Sequence, residues 1–133
     1  VKKVDGDIIS DFIDQEFTTY AKDCNVKLDY DEFCYAAMDE SGNIIGALTG
    51  NAYYNEVKVG DLIVAKGCRK LGVGSMLLKT VEEDYKDRGY EIITLTTFGF
   101  QAPEFYKKHG FAIEYIRENK DPKISKYFLT KPL

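Results

Sequence analysis

The residues best equipped for chemistry stand in one short run, Arg69-Lys70-Leu71-Gly72-Val73-Gly74-Ser75. It follows the apolar residues Leu62-Ile63-Val64 and leads into a stretch of helical periodicity that begins near Gly72. The first backbone N–H groups of a helix have no partner within it, and the macrodipole adds roughly half a positive charge there. Gly72 and Gly74 take side chains away from those donors. Arg69 and Lys70 add two positive charges, and Ser75 adds a hydroxyl. Such a turn suits a diphosphate.

Three phosphate-binding patterns compete for it. A nucleoside-triphosphate loop needs Gly-Lys followed by Ser or Thr, but Lys70 comes before the glycines. A dinucleotide fingerprint needs a third small residue where Leu77 stands, and a ribose-binding acid near Leu95 and Thr96. The third pattern, R-x-x-G-x-G, grips the pyrophosphate of coenzyme A. It fits at Arg69, Gly72 and Gly74.

The elements that must hold this turn can be read around it. Ile9, Phe12, Ile13, Phe17 and Tyr20 recur at helical spacing and predict a buried stripe on a helix over residues 7–20. Residues 24–32 are mostly polar and read as irregular, with room for a short helix. Strands are expected at 33–38 and 44–50, joined by the turn-rich residues 39–43. A third strand, 57–64, is interrupted by Gly60, which marks a bulge or a close backbone approach. The helix after the turn spans 72–88, with Val73, Met76, Leu77, Val81 and Tyr85 as its buried stripe and Gly89 as its stop. A central strand at 92–96, a short helix at 102–109 and two antiparallel strands at 111–116 and 125–130 complete the chain. Residues 119–123 read as a polar loop. The fold class expected is a mixed α/β sheet of the α+β type, one domain over residues 1–133. A strand–turn–helix–strand unit stands at its centre, flanked by helices.

Residues 59–111 resemble the GNAT superfamily of acyl-CoA-dependent N-acetyltransferases. The coenzyme A motif matches Arg69, Gly72 and Gly74, and a second motif, A-x-x-F/L-Y-x-K-x-G-F, matches Ala102, Phe105, Tyr106, Lys108, Gly110 and Phe111. Many members carry Asn where this chain has Gly99; the run 97–101 is similar to a subgroup with an aromatic-Gln-Ala-Pro sequence, and the role of Gln101 stays open. The resemblance implies acetyl-CoA as cosubstrate, with no metal. It implies that the pantetheine arm lies between splayed parallel strands against Leu62, Ile63 and Val64. Arg69, Lys70, Leu71, Gly72, Val73, Gly74 and Ser75 would hold the pyrophosphate, with Phe105, Tyr106 and Lys108 also at the cofactor.

By the same resemblance Tyr106 is the acid that protonates the departing thiolate. A phenol of pKa ~10 is matched to an alkyl thiol; the alternative is a packing role alone. Asp61 and Glu56 are the candidate bases, with a chain of waters as the other option. Tyr53, Tyr54 and Tyr30, with Asp29, Asp31 and Glu32, could wrap a cationic amine, or the tyrosines could be ordinary sheet residues. His109, beside the end of its helix, is read as complementing the helix dipole.

Composition narrows the partners. The 133 residues carry a net charge of −4, which argues against a nucleic-acid surface. No apolar run reaches the ~20 residues of a membrane span, and the first residues lack a signal-peptide core. Three cysteines without a C-x-x-C pair read as reduced thiols in a cytoplasm. The expected partners are acetyl-CoA and an amine-bearing small molecule or peptide, with neither nucleic acid nor membrane; dimers are common in the family, which leaves a homodimer open. The rival readings are a non-catalytic acyl-CoA sensor on the same fold, an ATP or NAD binder, and a pure interaction module.

Overall fold

The computed structural model describes residues 1–133. Its elements run α1 (Gly6–Asp23), β1 (Tyr30–Met38), β2 (Ile44–Tyr53), β3 (Glu56–Val64), α2 (Val73–Tyr85), β4 (Ile92–Phe98), α3 (Pro103–Lys108), β5 (Ala112–Arg117) and β6 (Lys126–Pro132). All six strands join one sheet in the order β1-β2-β3-β4-β6-β5. The β3–β4 pair is parallel, because α2 must cross between them, and every other pair is antiparallel. The expected mixed sheet is therefore present, with β1 starting at Tyr30, inside the stretch read as irregular.

The core lies between α2 and one face of the sheet. Val73, Leu77, Val81 and Tyr85 follow one another at four-residue spacing and are buried with Leu78 against Phe33, Leu48, Val57, Val59, Ile93 and Leu95. Each such aliphatic side chain contributes about 1.5–3 kcal/mol when fully buried. Met76, assigned to this stripe from the sequence, is exposed, and Leu78 takes its place. The stripe 73–77–81–85 drifts about 40° every four residues toward the side of 78, which ends about 20° from 85, whereas 76 lies about 60° from 73 on the other side. The helix also stops early. Lys86 leaves the helical region, and Asp87 and Gly89 adopt positive φ.

The far end of α2 is tied to β1 by two tyrosine–aspartate pairs. The Tyr85 hydroxyl donates to Asp31 and the Tyr35 hydroxyl to Asp84, each at 2.7 Å, and Arg88 reaches Asp31 at 3.3 Å. Burial, helped by Asp84, pushes the Tyr35 phenol up to about 12. Burial, helped by Asp31, raises Tyr85 in the same way. A free tyrosine titrates near 10. Both phenols then hold their protons longer in the folded chain than in the unfolded one. Their contribution is complete below about pH 10 and is lost as pH rises toward 12. Urea midpoints should stay flat to about pH 10 and fall beyond it, with a shallower fall in Tyr35→Phe.

The first helix departs from expectation. Asp5 caps it, accepting from the Asp7 N–H, and it runs for 18 residues. Yet Phe12, Phe17 and Tyr20 are about two-thirds exposed, and Ile8, Ile9 and Ile13 are exposed with them. Only Ala21, near the C-terminal end, is buried. The amphipathic pattern formed the helix, but no other element of the chain covers its apolar side.

Candidate active site

The site begins as a fork in the sheet. β3 and β4 pair only where Glu56, Val57, Lys58 and Val59 face Ile92, Ile93, Thr94 and Leu95. Beyond Val59 the two strands part, although β3 continues to Val64 and β4 to Phe98. A bulge in β3 marks the parting point. Leu48 and Gly50 on β2 pair with Leu62 and Val59 on β3, so β3 carries one extra residue there. The glycine read from sequence as a bulge, Gly60, is in it. A Cβ at Gly60 would meet the hydroxyl and carbonyl of Thr49 at 3.3 and 3.4 Å. The same Thr49 hydroxyl accepts from the Asp61 N–H at 3.2 Å and stands 3.3 Å from the Asp61 carboxylate. A bulged strand bends away from its neighbour. It leaves the peptide groups of residues 61–64 without a strand partner on the β4 side, apart from the Val64 carbonyl that Arg69 holds, an edge to which an extended ligand can add.

The glycine turn sits at the open end of that fork. Lys70 and Gly72 adopt positive φ, at 66° and 80°, and Gly72 is the residue that starts α2. The first bonded donor of the helix is the Met76 N–H, on the Gly72 carbonyl, and no side chain caps it. The N–H groups of Val73, Gly74 and Ser75 therefore have no helical partner. The Arg69 Nε donates to the Val64 carbonyl at 3.2 Å, which lays the side chain along the end of β3. Lys70 and Leu71 are exposed.

The two glycines have different reasons to be glycine. A Cβ at Gly72 would meet nothing, so only its left-handed backbone requires glycine. A Cβ at Gly74 would lie 3.1 Å from the Phe105 ring and 3.7 Å from Val64. Gly74 is thus where α2, α3 and the end of β3 meet.

α3 is locked to the turn by His109. Its ring lies 2.7 Å from the Phe105 carbonyl through Nδ1 and 2.7 Å from the Ser75 hydroxyl through Nε2. Phe105 packs on the same ring at 4.4 Å between centroids. His109 therefore bridges two helices, and Ser75 is engaged inside the protein as well as facing the turn. Sequence reasoning gave His109 a dipole role and missed the bridge. No local pattern links residues 34 apart, so no signal for it existed.

Tyr106 is held between Phe105 and Phe111, with ring centroids at 5.2 and 5.9 Å. Burial raises its pKa, and its hydroxyl makes no hydrogen bond within the protein. Lys108 is exposed, while the neighbouring Lys107 pairs with Glu104. Gly99 is explained by backbone crowding, because a Cβ there would sit 2.3 Å from the Pro122 carbonyl. Gln101 accepts from the Phe98 N–H at 3.0 Å, closing the turn after β4.

The candidate acids and tyrosines separate. Asp61 lies in the bulge at the fork. Glu56 stands six residues earlier on β3 than Leu62, about 20 Å along the strand, and accepts from the Thr94 hydroxyl. Tyr30 and Glu32 bond each other at 2.7 Å on the sheet face opposite α2, whereas Asp31 is turned to the α2 face by Tyr85. Tyr53 and Tyr54 meet edge to face at 6.2 Å. Tyr54 also lines an apolar hollow with Phe17, Tyr20 and Leu28, beneath the end of α1.

Comparison with known proteins places this arrangement. The sequence profile of the acetyltransferase (GNAT) family matches residues 6–111. A blasticidin-S acetyltransferase from Streptomyces morookaense is 31% identical over 101 residues, covering 73% of this chain and 72% of that protein. The crystal structure of an acetyltransferase from Bacillus cereus ATCC 14579 superposes with a TM-score of 0.83 at 32% identity, covering 100% of this chain and 96% of that one. A GNAT family acetyltransferase from Elizabethkingia anophelis, with acetyl-CoA bound, shares the fold at a TM-score of 0.66 and 23% identity, covering 93% and 83%.

Proposed function

The chain belongs to the GNAT acetyltransferase family, and on that premise we propose that it transfers the acetyl group of acetyl-CoA to a primary amine by direct attack on the thioester. The observation that carries the reading is the alignment of the β3–β4 fork with an uncapped, glycine-lined helix start. The fork offers unpaired peptide edges to an extended amide-bearing arm. The turn offers free N–H groups, Arg69 and Lys70 to a pyrophosphate.

Reaction would follow from those placements. The neutral amine attacks the thioester carbon, and a peptide N–H at the bulge stabilises the developing oxyanion. Collapse forms the C–N bond and breaks the C–S bond. Tyr106 donates its proton to the departing thiolate, and the ammonium proton leaves to a base. Asp61 is the carboxylate at the fork and takes that role here, directly or through water; Glu56 is too far along the strand. Tyr30 stands on the same rung of the sheet as Glu56, through Tyr53, so it lies as far from the fork as Glu56 does and has no part in holding the amine.

Isothermal titration with acetyl-CoA, ATP and NAD tests the first step. Acetyl-CoA alone should bind. Arg69→Ala should weaken it about tenfold, the loss of one charge-assisted contact worth about 1.5 kcal/mol. Thiol release over a panel of amines, headed by blasticidin S, then tests transfer. A preference for ATP or NAD would overturn the reading, and binding without turnover of any amine would favour a sensor.

A further inference from the structure

We infer that two copies of this chain pair by placing α1 of each on the open sheet face of the other. Two surfaces of the chain lack a partner. The first is the apolar side of α1. Ile9, Ile13, Phe17 and Tyr20 lie within one arc of the helix, with Phe12 beside it, while Asp7, Asp11 and Asp14 point the opposite way and Ile8 lies toward them. A helix patterned in this way is built to be covered.

The second surface is the sheet face opposite α2. Phe33, Tyr35 and Ala37 on β1 turn toward α2, so Cys34, Ala36 and Met38 turn away, and all three are exposed. Ala47 on β2 and Ile63 on β3 pair directly with each other and continue the row, with Ile63 61% exposed. The helix that packs closely on the sheet is α2, on the other face.

Magnitude favours a second copy as the occupant. Three aromatic side chains about two-thirds exposed present about 400 Å², and Ile9 and Ile13, each 39% exposed, bring the apolar side to on the order of 500 Å². That is near the upper end of the largest apolar patches found on monomers. Each helix removes a similar area from the face it covers. A reciprocal pair therefore buries roughly 2,000 Å², at the lower edge of the range of obligate dimers. The contact is isologous: each copy gives a helix and receives one, so a two-fold axis satisfies both surfaces with nothing left over. The open face adjoins the fork at Ile63 and Asp61, so the partner's helix also walls the acceptor side. That last point rests on the acetyl-transfer reading; the pairing itself does not.

Sedimentation equilibrium of the full chain at micromolar concentration is the test. The wild type should show the dimer mass. The double variant Phe12→Glu/Phe17→Glu and, separately, Ala36→Glu should each show the monomer mass. All three positions are exposed, so far-UV circular dichroism and acetyl-CoA titration should match wild type and confirm intact folding. A monomeric wild type would overturn the pairing. A dimer broken by the helix variant but untouched by Ala36→Glu would mean that helix packs on helix, and would overturn the reciprocal arrangement. Turnover should fall several-fold in both monomeric variants; unchanged turnover would overturn the shared wall.

Discussion

Tyr106→Phe should lower kcat for acetyl transfer by about 100-fold or more, the usual scale for removing a general acid, while the affinity for acetyl-CoA changes by less than about twofold. The substitution is a clean one. The hydroxyl has no partner inside the protein, so its loss orphans no buried group, and the ring keeps its contacts with Phe105 and Phe111. Burial raises the phenol above its usual value near 10. The proton-donating form therefore persists at every pH where the protein is comfortably folded. A fall in kcat due to Tyr106 should begin only above about pH 10, and a decline starting near neutrality belongs to another group. Thiol release measures the rate and isothermal titration the binding. A variant with wild-type kcat would leave Tyr106 a packing residue.

Gly50→Val is expected to have the largest effect on stability, about 3 kcal/mol or more, from overpacking where backbone cannot yield. A Cβ at Gly50 would stand 2.4 Å from the Lys58 carbonyl and 2.4 Å from the Phe33 ring. The ring can shift, but the carbonyl belongs to the β2–β3 ladder. Gly50 also pairs with Val59, the last residue of β3 that pairs with β4. Relief of the clash would move the strand at the parting point, so any folded remainder should bind acetyl-CoA poorly. Urea denaturation of Gly50→Val beside Gly67→Ala checks this. A Cβ at Gly67 meets nothing within 4 Å and its backbone is not left-handed, so that control should lie within about 0.5 kcal/mol of wild type. Equal midpoints for the two variants would show that the sheet can absorb the added bulk.

Much of the architecture was legible because local chemistry and fold agree. Alternating and β-branched runs place the six strands, and the run from Leu62 to Ser75 marks the strand–turn–helix step by its residue types alone. Gly60 signalled a bulge on composition alone. Two motifs, at Arg69–Gly74 and Ala102–Phe111, carried the family. Element ends were less secure, since Lys86 and Asp87 end α2 through backbone angles that their side chains do not announce.

What sequence alone determined was which residues could bond to a phosphate, donate a proton or fill a core, because those properties belong to side chains and to short-range periodicity. Tertiary structure decided which of them meet. It made Asp61 a neighbour of the fork and left Glu56 far along the same strand, because distance along β3 has meaning only once β4 parts from it at Val59. It joined His109 to Ser75 across 34 residues, and it gave Gly74 to Phe105. It also left α1 uncovered. Periodicity fixes which side of a helix is apolar, and only the packing of the whole chain decides whether anything lies against it.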